Sequence, residues 1–143
     1  MKTIFALLTL LTILTMNGTY CMGSEIEEDK AIHCILGEVR GEYAQYGYTS
    51  FLASAEALRN RNTTKGVYGC NAQFEGEMPY IISKGLVEEA KRAWYASRTS
   101  QMTQGATFWG STITDKVWIV QMQRKGYKRT LTVGHTEYYK KRV

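Results

Sequence analysis

In the stretch "GEVRGE", residues 37 to 42, Glu38 and Glu42 stand four apart with Arg40 between them and a glycine before each. A carboxyl can hand a proton to a departing oxygen and take one back, provided that it stays protonated near the working pH. On a helix, a spacing of four puts the two Cβ atoms about 5–6 Å apart on one face. Two carboxyls that flank a glycosidic bond from opposite sides need a different arrangement, which one helix does not easily supply. The spacing therefore favours one glutamate as general acid and the other as its support, through Arg40 or a backbone amide. Gly37 and Gly41 fit a helix end where the backbone turns sharply or lies close to a ligand. A carboxyl at such an edge, backed by Ile35 and Leu36, is partly desolvated, and desolvation raises a carboxyl pKa. The same six residues also read as a solvated Glu/Arg helix end, so the motif needs the rest of the chain.

The elements that must carry this stretch are legible from periodicity. "SEIE" at 24 to 27 has the form of a capping box, with Ser24 and Glu27 as reciprocal partners, and predicts a helix from there to about Leu36. Its expected buried stripe is Ile32, Ile35 and Leu36. "SFLASAEALRNR" places Phe51, Leu52, Ala55 and Leu58 at helical spacing and predicts a second helix ending near Asn60. The Gly- and Asn-rich stretch that follows reads as an irregular surface excursion. "GLVEEAKRAWYAS" carries Leu86, Val87, Ala90, Ala93 and Trp94 at the spacing of an amphipathic helix. After Thr103, the runs "ATFW", "KVWIVQM" and "LTVGHTEYY" are β-branched and aromatic and predict strands, with "RKG" as a turn between two of them. Helices first and then a small antiparallel β element make an α+β chain.

The chain has 143 residues. Lys2, an apolar run from Ile4 to Met16 and the polar close "NGT" follow the grammar of a secretory signal, so residues 1–24 are read as a signal peptide and 25–143 as one folded domain. The apolar run is too short to span a bilayer comfortably, although a signal anchor or a lipid anchor on Cys21 stays open. The expected location is secreted or attached to the cell envelope, without stable membrane insertion. The 18 basic and 13 acidic residues give a net charge of +5; loss of residues 1–24 removes Lys2 and no acid, leaving +4. That excess suits an anionic partner, but the basic residues are scattered and no recognition motif organises them, so nucleic acid is not expected. Cys34 and Cys70 remain after Cys21. They can pair in an oxidising compartment or stay as free, buried thiols.

With these elements in place, "GEVRGE" resembles the GEARGE motif of the SleB-type cell-wall hydrolases, the family of spore cortex-lytic enzymes. In chain order, "LRNR" at 58 to 61 resembles that family's helix ending in Asn-Arg, and "GVYGCNAQF" closes on its Gln-Phe. "AKRAWYAS" is similar to its next helix, "TQGATFW" to its T-x-G-A-x-x-F/W stretch, and "GHTEYY" to its terminal His-x-x-Tyr segment. The resemblance covers residues 25 to 139. It departs in a longer interval from Gly37 to Asn60 and in Glu137, which stands where the family places an aromatic residue.

The resemblance implies a lysozyme-like α+β fold and lytic transglycosylase chemistry on peptidoglycan, between N-acetylmuramic acid and N-acetylglucosamine. A monomer without cofactor or metal is expected. One carboxyl protonates the glycosidic oxygen and then serves as base while the muramic 6-hydroxyl attacks. Carried over residue by residue, the catalytic acid is Glu38, with Glu42 the second candidate and Arg40 a possible support. Thr103, Gly105 and Ala106 are expected to shape the backbone beside the sugar chain, with His135 and Tyr138 as further substrate-binding candidates. Phe108 and Trp109 are candidates for stacking on pyranose faces, though at strand spacing they equally fit a core. Asn60 and Arg61 are expected to brace the helix end.

Two other classes stay in view. A cysteine peptidase would need Cys34 or Cys70 with His135, and no nucleophile motif surrounds either cysteine. A secreted wall-binding module could keep the fold without turnover. A zinc amidase is poorly supplied, because His33 and Cys34 are adjacent and point in different directions on a helix.

Overall fold

The computed structural model describes residues 26–143. The expected signal peptide, Cys21 and Ser24 of the capping box lie outside the described residues. The chain folds as α+β, mainly helical: α1 (Glu28–Tyr46), α2 (Tyr48–Arg61), α3 (Met78–Ser83), α4 (Leu86–Ala96), β1 (Phe108–Ser111), α5 (Lys116–Arg124), β2 (Tyr127–Val133) and β3 (Thr136–Lys141). Two 3-10 turns, Tyr68–Asn71 and Glu75–Glu77, together with α3, give shape to the stretch expected to be irregular. Among the described residues no helix is long and apolar enough to cross a membrane.

The first helix corrects the reading of "GEVRGE". It starts at Glu28 with Glu27 as a cap that makes no side-chain hydrogen bond, and it does not stop at Leu36 but continues through both glycines to Tyr46. The break comes at Gly47, whose φ of 65° ends α1 and starts α2. Gly37 is needed for another reason: a Cβ there would lie 2.0 Å from the carbonyl oxygen of Gly69, so only glycine lets the two backbones touch. The neighbouring disulfide between Cys34 and Cys70 fixes the same contact covalently. For a loop closed across 36 residues, chain entropy gives a contribution of about 4 kcal/mol.

The main core lies between α1, α2 and α4, around Ile35, Leu36, Val39, Phe51, Leu58, Ala90 and Trp94. A second cluster, Ala53, Ala57, Ala106, Val133 and Tyr138, packs the sheet on the small-residue face of α2. Trp109 packs against both. The sheet is antiparallel in the order β1-β3-β2, with Trp109 opposite Tyr138 and Ser111 opposite Thr136.

"KVWIVQM", expected as a strand, is helix α5. Its buried residues Ile119 and Met122 are three apart, which is a helical spacing, and the amide of Ile119 donates to the carbonyl of Asp115 to begin the helix. The "RKG" turn therefore joins a helix to a strand. "LTVGHTEYY" splits into parts of β2 and β3 around Gly134, whose φ of 57° makes the hairpin turn.

Candidate active site

Glu38 projects from the middle of α1 into the space between three elements. Its Oε1 accepts a 2.6 Å hydrogen bond from the Gly69 amide in the first 3-10 turn, and its Oε2 accepts one of 3.2 Å from Nε1 of Trp109 on β1. The Gly37/Gly69 contact is what brings that amide within reach. With an N–H donor on each oxygen, the carboxyl is held in one orientation, and both bonds suit the anion, which only accepts.

Glu42, one turn further along α1, has a different setting. Its Oε1 accepts a 2.7 Å bond from the Thr136 hydroxyl at the start of β3, while its Oε2 is buried without a partner. Burial pushes its pKa up. The Thr136 hydrogen bond and the charge of His135 act the other way, and the nearby Glu38 adds to the rise. The Tyr138 hydroxyl lies close behind, fully buried and unpartnered, its pKa raised well above 10 by burial and by the charges of Glu42 and Glu38. Because the helix is unbroken, Glu38 and Glu42 share one face after all, a turn apart.

Both glutamates line a cleft of about 740 Å³. Its walls include Trp109 and Phe108 on β1, Trp118 on α5 and Tyr68 in the 3-10 turn, and Tyr68 is 88% exposed. Arg61 at the end of α2 also faces the cleft, its guanidinium 4.4 Å from the Phe108 ring centre and bonded to the carbonyls of Lys65 and Thr107. Asp115 accepts the Ser111 amide at 2.7 Å and adds a third carboxyl at the rim. Aromatic side chains with a few fixed carboxyls suit a ring-shaped, hydroxyl-rich ligand such as a sugar chain. No protein-family model, curated protein or solved structure matches the chain.

Several expected site residues lie elsewhere. Arg40 supports neither glutamate. It pairs with Glu77 at 2.7 Å and sits over the Phe74 ring on the other side of α1. Thr103 and Ala106 are fully buried, and neither they nor Gly105 is among the described residues lining the cleft. Their surroundings explain the pattern. Buried Glu56 accepts from the Thr103 amide and hydroxyl, from the Met102 amide and from the Ser100 hydroxyl, and so holds this turn against α2. Gly105, with φ of 85°, makes the bend, and Asn60 donates to the Ala106 carbonyl at 3.1 Å.

His135 is exposed at the β2–β3 turn, edge-on to Tyr46, and reaches Glu42 only through its charge. Tyr138 stacks behind Trp109 instead of facing the cleft, so it backs the site without binding in it. Cys34 and Cys70 are both in the disulfide, so neither offers the thiolate that a cysteine peptidase built on it with His135 would need. His33 bonds to the Ala72 carbonyl and stacks on Phe74, and among the described residues no group of three His, Cys, Asp or Glu side chains is arranged to hold a metal.

Proposed function

We propose that this protein is an exported, peptidoglycan-cleaving enzyme that acts on the glycan strand as a lytic transglycosylase. The observation that carries the proposal is Glu38, oriented at both oxygens on the wall of an aromatic cleft, with Glu42 one helical turn away. The resemblance to the SleB-type hydrolases over the same residues supports it. The net positive charge suits the anionic cell wall.

The placement of the carboxyls on one helix face favours transglycosylation over inverting hydrolysis. Inversion needs a base and a water on the sugar face opposite the acid, about 6.5–9.5 Å from it. In a β-linked muramyl residue, the departing oxygen on C1 and the 6-hydroxyl project from the same face of the ring. Carboxyls on one wall can then serve both departure and attack, and the product is a 1,6-anhydro end. Glu38 is the carboxyl on which this chemistry depends.

The test is solubilisation of purified peptidoglycan sacculi by the wild-type protein and by Glu38→Gln. The wild type is expected to clear the suspension and the variant to leave it turbid. A wild type that binds sacculi without releasing fragments would make the protein a wall-binding module.

A further inference from the structure

We propose that proton transfer in this cleft is divided between two residues: Glu42 carries the proton given to the glycosidic oxygen, and Glu38 is the carboxylate that takes the proton of the attacking hydroxyl. The inference rests on the transglycosylase reading above and reassigns its acid from the first glutamate to the second.

The two carboxyls differ in what surrounds each oxygen. Both oxygens of Glu38 already accept from N–H groups that cannot accept in return, so the bonds are fully used only by the anion. Glu42 has a single donor, the Thr136 hydroxyl on Oε1, and its Oε2 is buried with nothing to stabilise a charge there. A proton on that oxygen resolves the problem, because the neutral acid costs far less to bury than the anion. The Oε2 atom itself is buried, so delivery of its proton requires the Glu42 carboxyl, which belongs to the cleft wall, to turn toward the bound glycan.

The charged and titratable neighbours act in the same sense. On α1, the Glu38 carboxylate disfavours a second negative charge beside it. On β3, the buried Tyr138 hydroxyl adds no hydrogen bond to Glu42. Among the described residues, His135, in the β2–β3 turn, and the Thr136 hydroxyl favour the ionised form, and burial outweighs them. Geometry thus sets the two carboxyls apart: Glu38 has an N–H donor on each oxygen, and Glu42 has a buried oxygen with none.

The step balances without water or any co-reactant. The C1–O bond breaks as the Glu42 proton passes to the leaving oxygen, which keeps the bonding pair and becomes the free 4-hydroxyl of the next sugar. The muramyl O6 forms the new bond to C1 and gives its proton to Glu38. One proton then returns from Glu38 to Glu42 and restores the starting state.

A substrate with a leaving group that needs no protonation separates the two roles. Glu42→Gln is expected to lower kcat on glycan strands by ~10²–10⁴-fold. It should leave turnover of a 2,4-dinitrophenyl muramyl glycoside within a few-fold of wild type, whereas Glu38→Gln loses both activities. Thr136→Val, which removes a bond favouring ionised Glu42, is expected to move the alkaline limb of the kcat/KM profile upward, a readout that a merely structural role would not move. A Glu42→Gln variant that still cleaves strands, or that loses both substrates equally while folded by circular dichroism, overturns the division of roles. So does rescue of Glu38→Gln by the activated substrate. A wild type inert on both substrates instead removes the transglycosylase reading, and this inference with it.

Discussion

Gly37 and Gly69 meet backbone to backbone. A Cβ on the first would lie 2.0 Å from the other's carbonyl oxygen, and a Cβ on the second would lie 2.5 Å from the amide nitrogen of Glu38. This contact positions the Gly69 amide that holds the Glu38 carboxyl, and so it links the spacing of "GEVRGE" to the chemistry of the cleft. The two glycines of that motif therefore have unlike roles. Gly41 has nothing within 4 Å of where a Cβ would stand.

Gly37→Ala is expected to destabilise the fold by about 3 kcal/mol, because neither backbone can retreat while the adjacent disulfide holds them. Gly41→Ala, at an open position inside a helix, is expected to stabilise by about 0.5–1 kcal/mol. Urea denaturation of both variants checks the contrast. Equal effects of either sign would mean that the contact does not govern this helix.

Glu42 makes stability depend on pH in a sign opposite to that of a salt-bridged carboxylate. Its folded pKa lies above the ordinary 4.5 because of burial, so the folded state binds the proton more tightly than the unfolded chain. That contribution is fully present below the unfolded value and is lost as pH rises through the folded one. Glu42→Gln, which cannot ionise, should therefore melt above the wild type at neutral pH and level with it at acid pH. Thermal melts at pH 4 and pH 7 read the difference. A variant less stable at pH 7 would contradict the assignment.

Trp109→Phe removes one of the two donors that orient Glu38 and keeps most of the ring. Hydrogen bonds to charged groups are worth about 1.5–3 kcal/mol, so kcat is expected to fall by roughly tenfold or more. Steady-state kinetics on soluble glycan strands measure it. A change in KM alone would assign Trp109 to binding only.

Glu56→Gln tests the buried turn at Ser100–Thr103. An amide cannot accept all four of the hydrogen bonds that Glu56 receives, since one of its ends is a donor. A loss of about 2–4 kcal/mol is expected, with activity per folded molecule retained. Calorimetry paired with turnover at low temperature separates stability from function.

Much of this architecture was legible in the sequence, for reasons that differ by element. α4 buries one face and α2 is buried on two, yet in both the large apolar residues recur at helical spacing and read directly, as does the helix-then-strand order. The failures arise where a distant partner decides. α1 runs past Leu36 because Gly37 meets a residue 32 positions later, which no local pattern encodes. α5 carries β-branched residues on its exposed side, Val117 and Val120, so composition pointed to a strand while the buried pair set a helix.

The candidate site divides in the same way. Glu38 and Glu42 stand out by type and spacing, but their donors Gly69, Trp109 and Thr136 come from three other parts of the fold. Gly69 had one hint, its place beside Cys70. The T-x-G-A stretch resembles a backbone beside a sugar chain, yet Thr103 and Ala106 are fully buried, and Glu56, on another helix, takes the hydrogen bonds of that turn.

Mass spectrometry of the ends produced on purified glycan strands, with wild type and Glu38→Gln digested in parallel, distinguishes transglycosylation from hydrolysis and shows whether Glu38 is required. The wild type is expected to give 1,6-anhydromuramyl ends and the variant intact strands. Reducing ends would contradict transglycosylation, and intact strands with both proteins would contradict catalysis in this cleft.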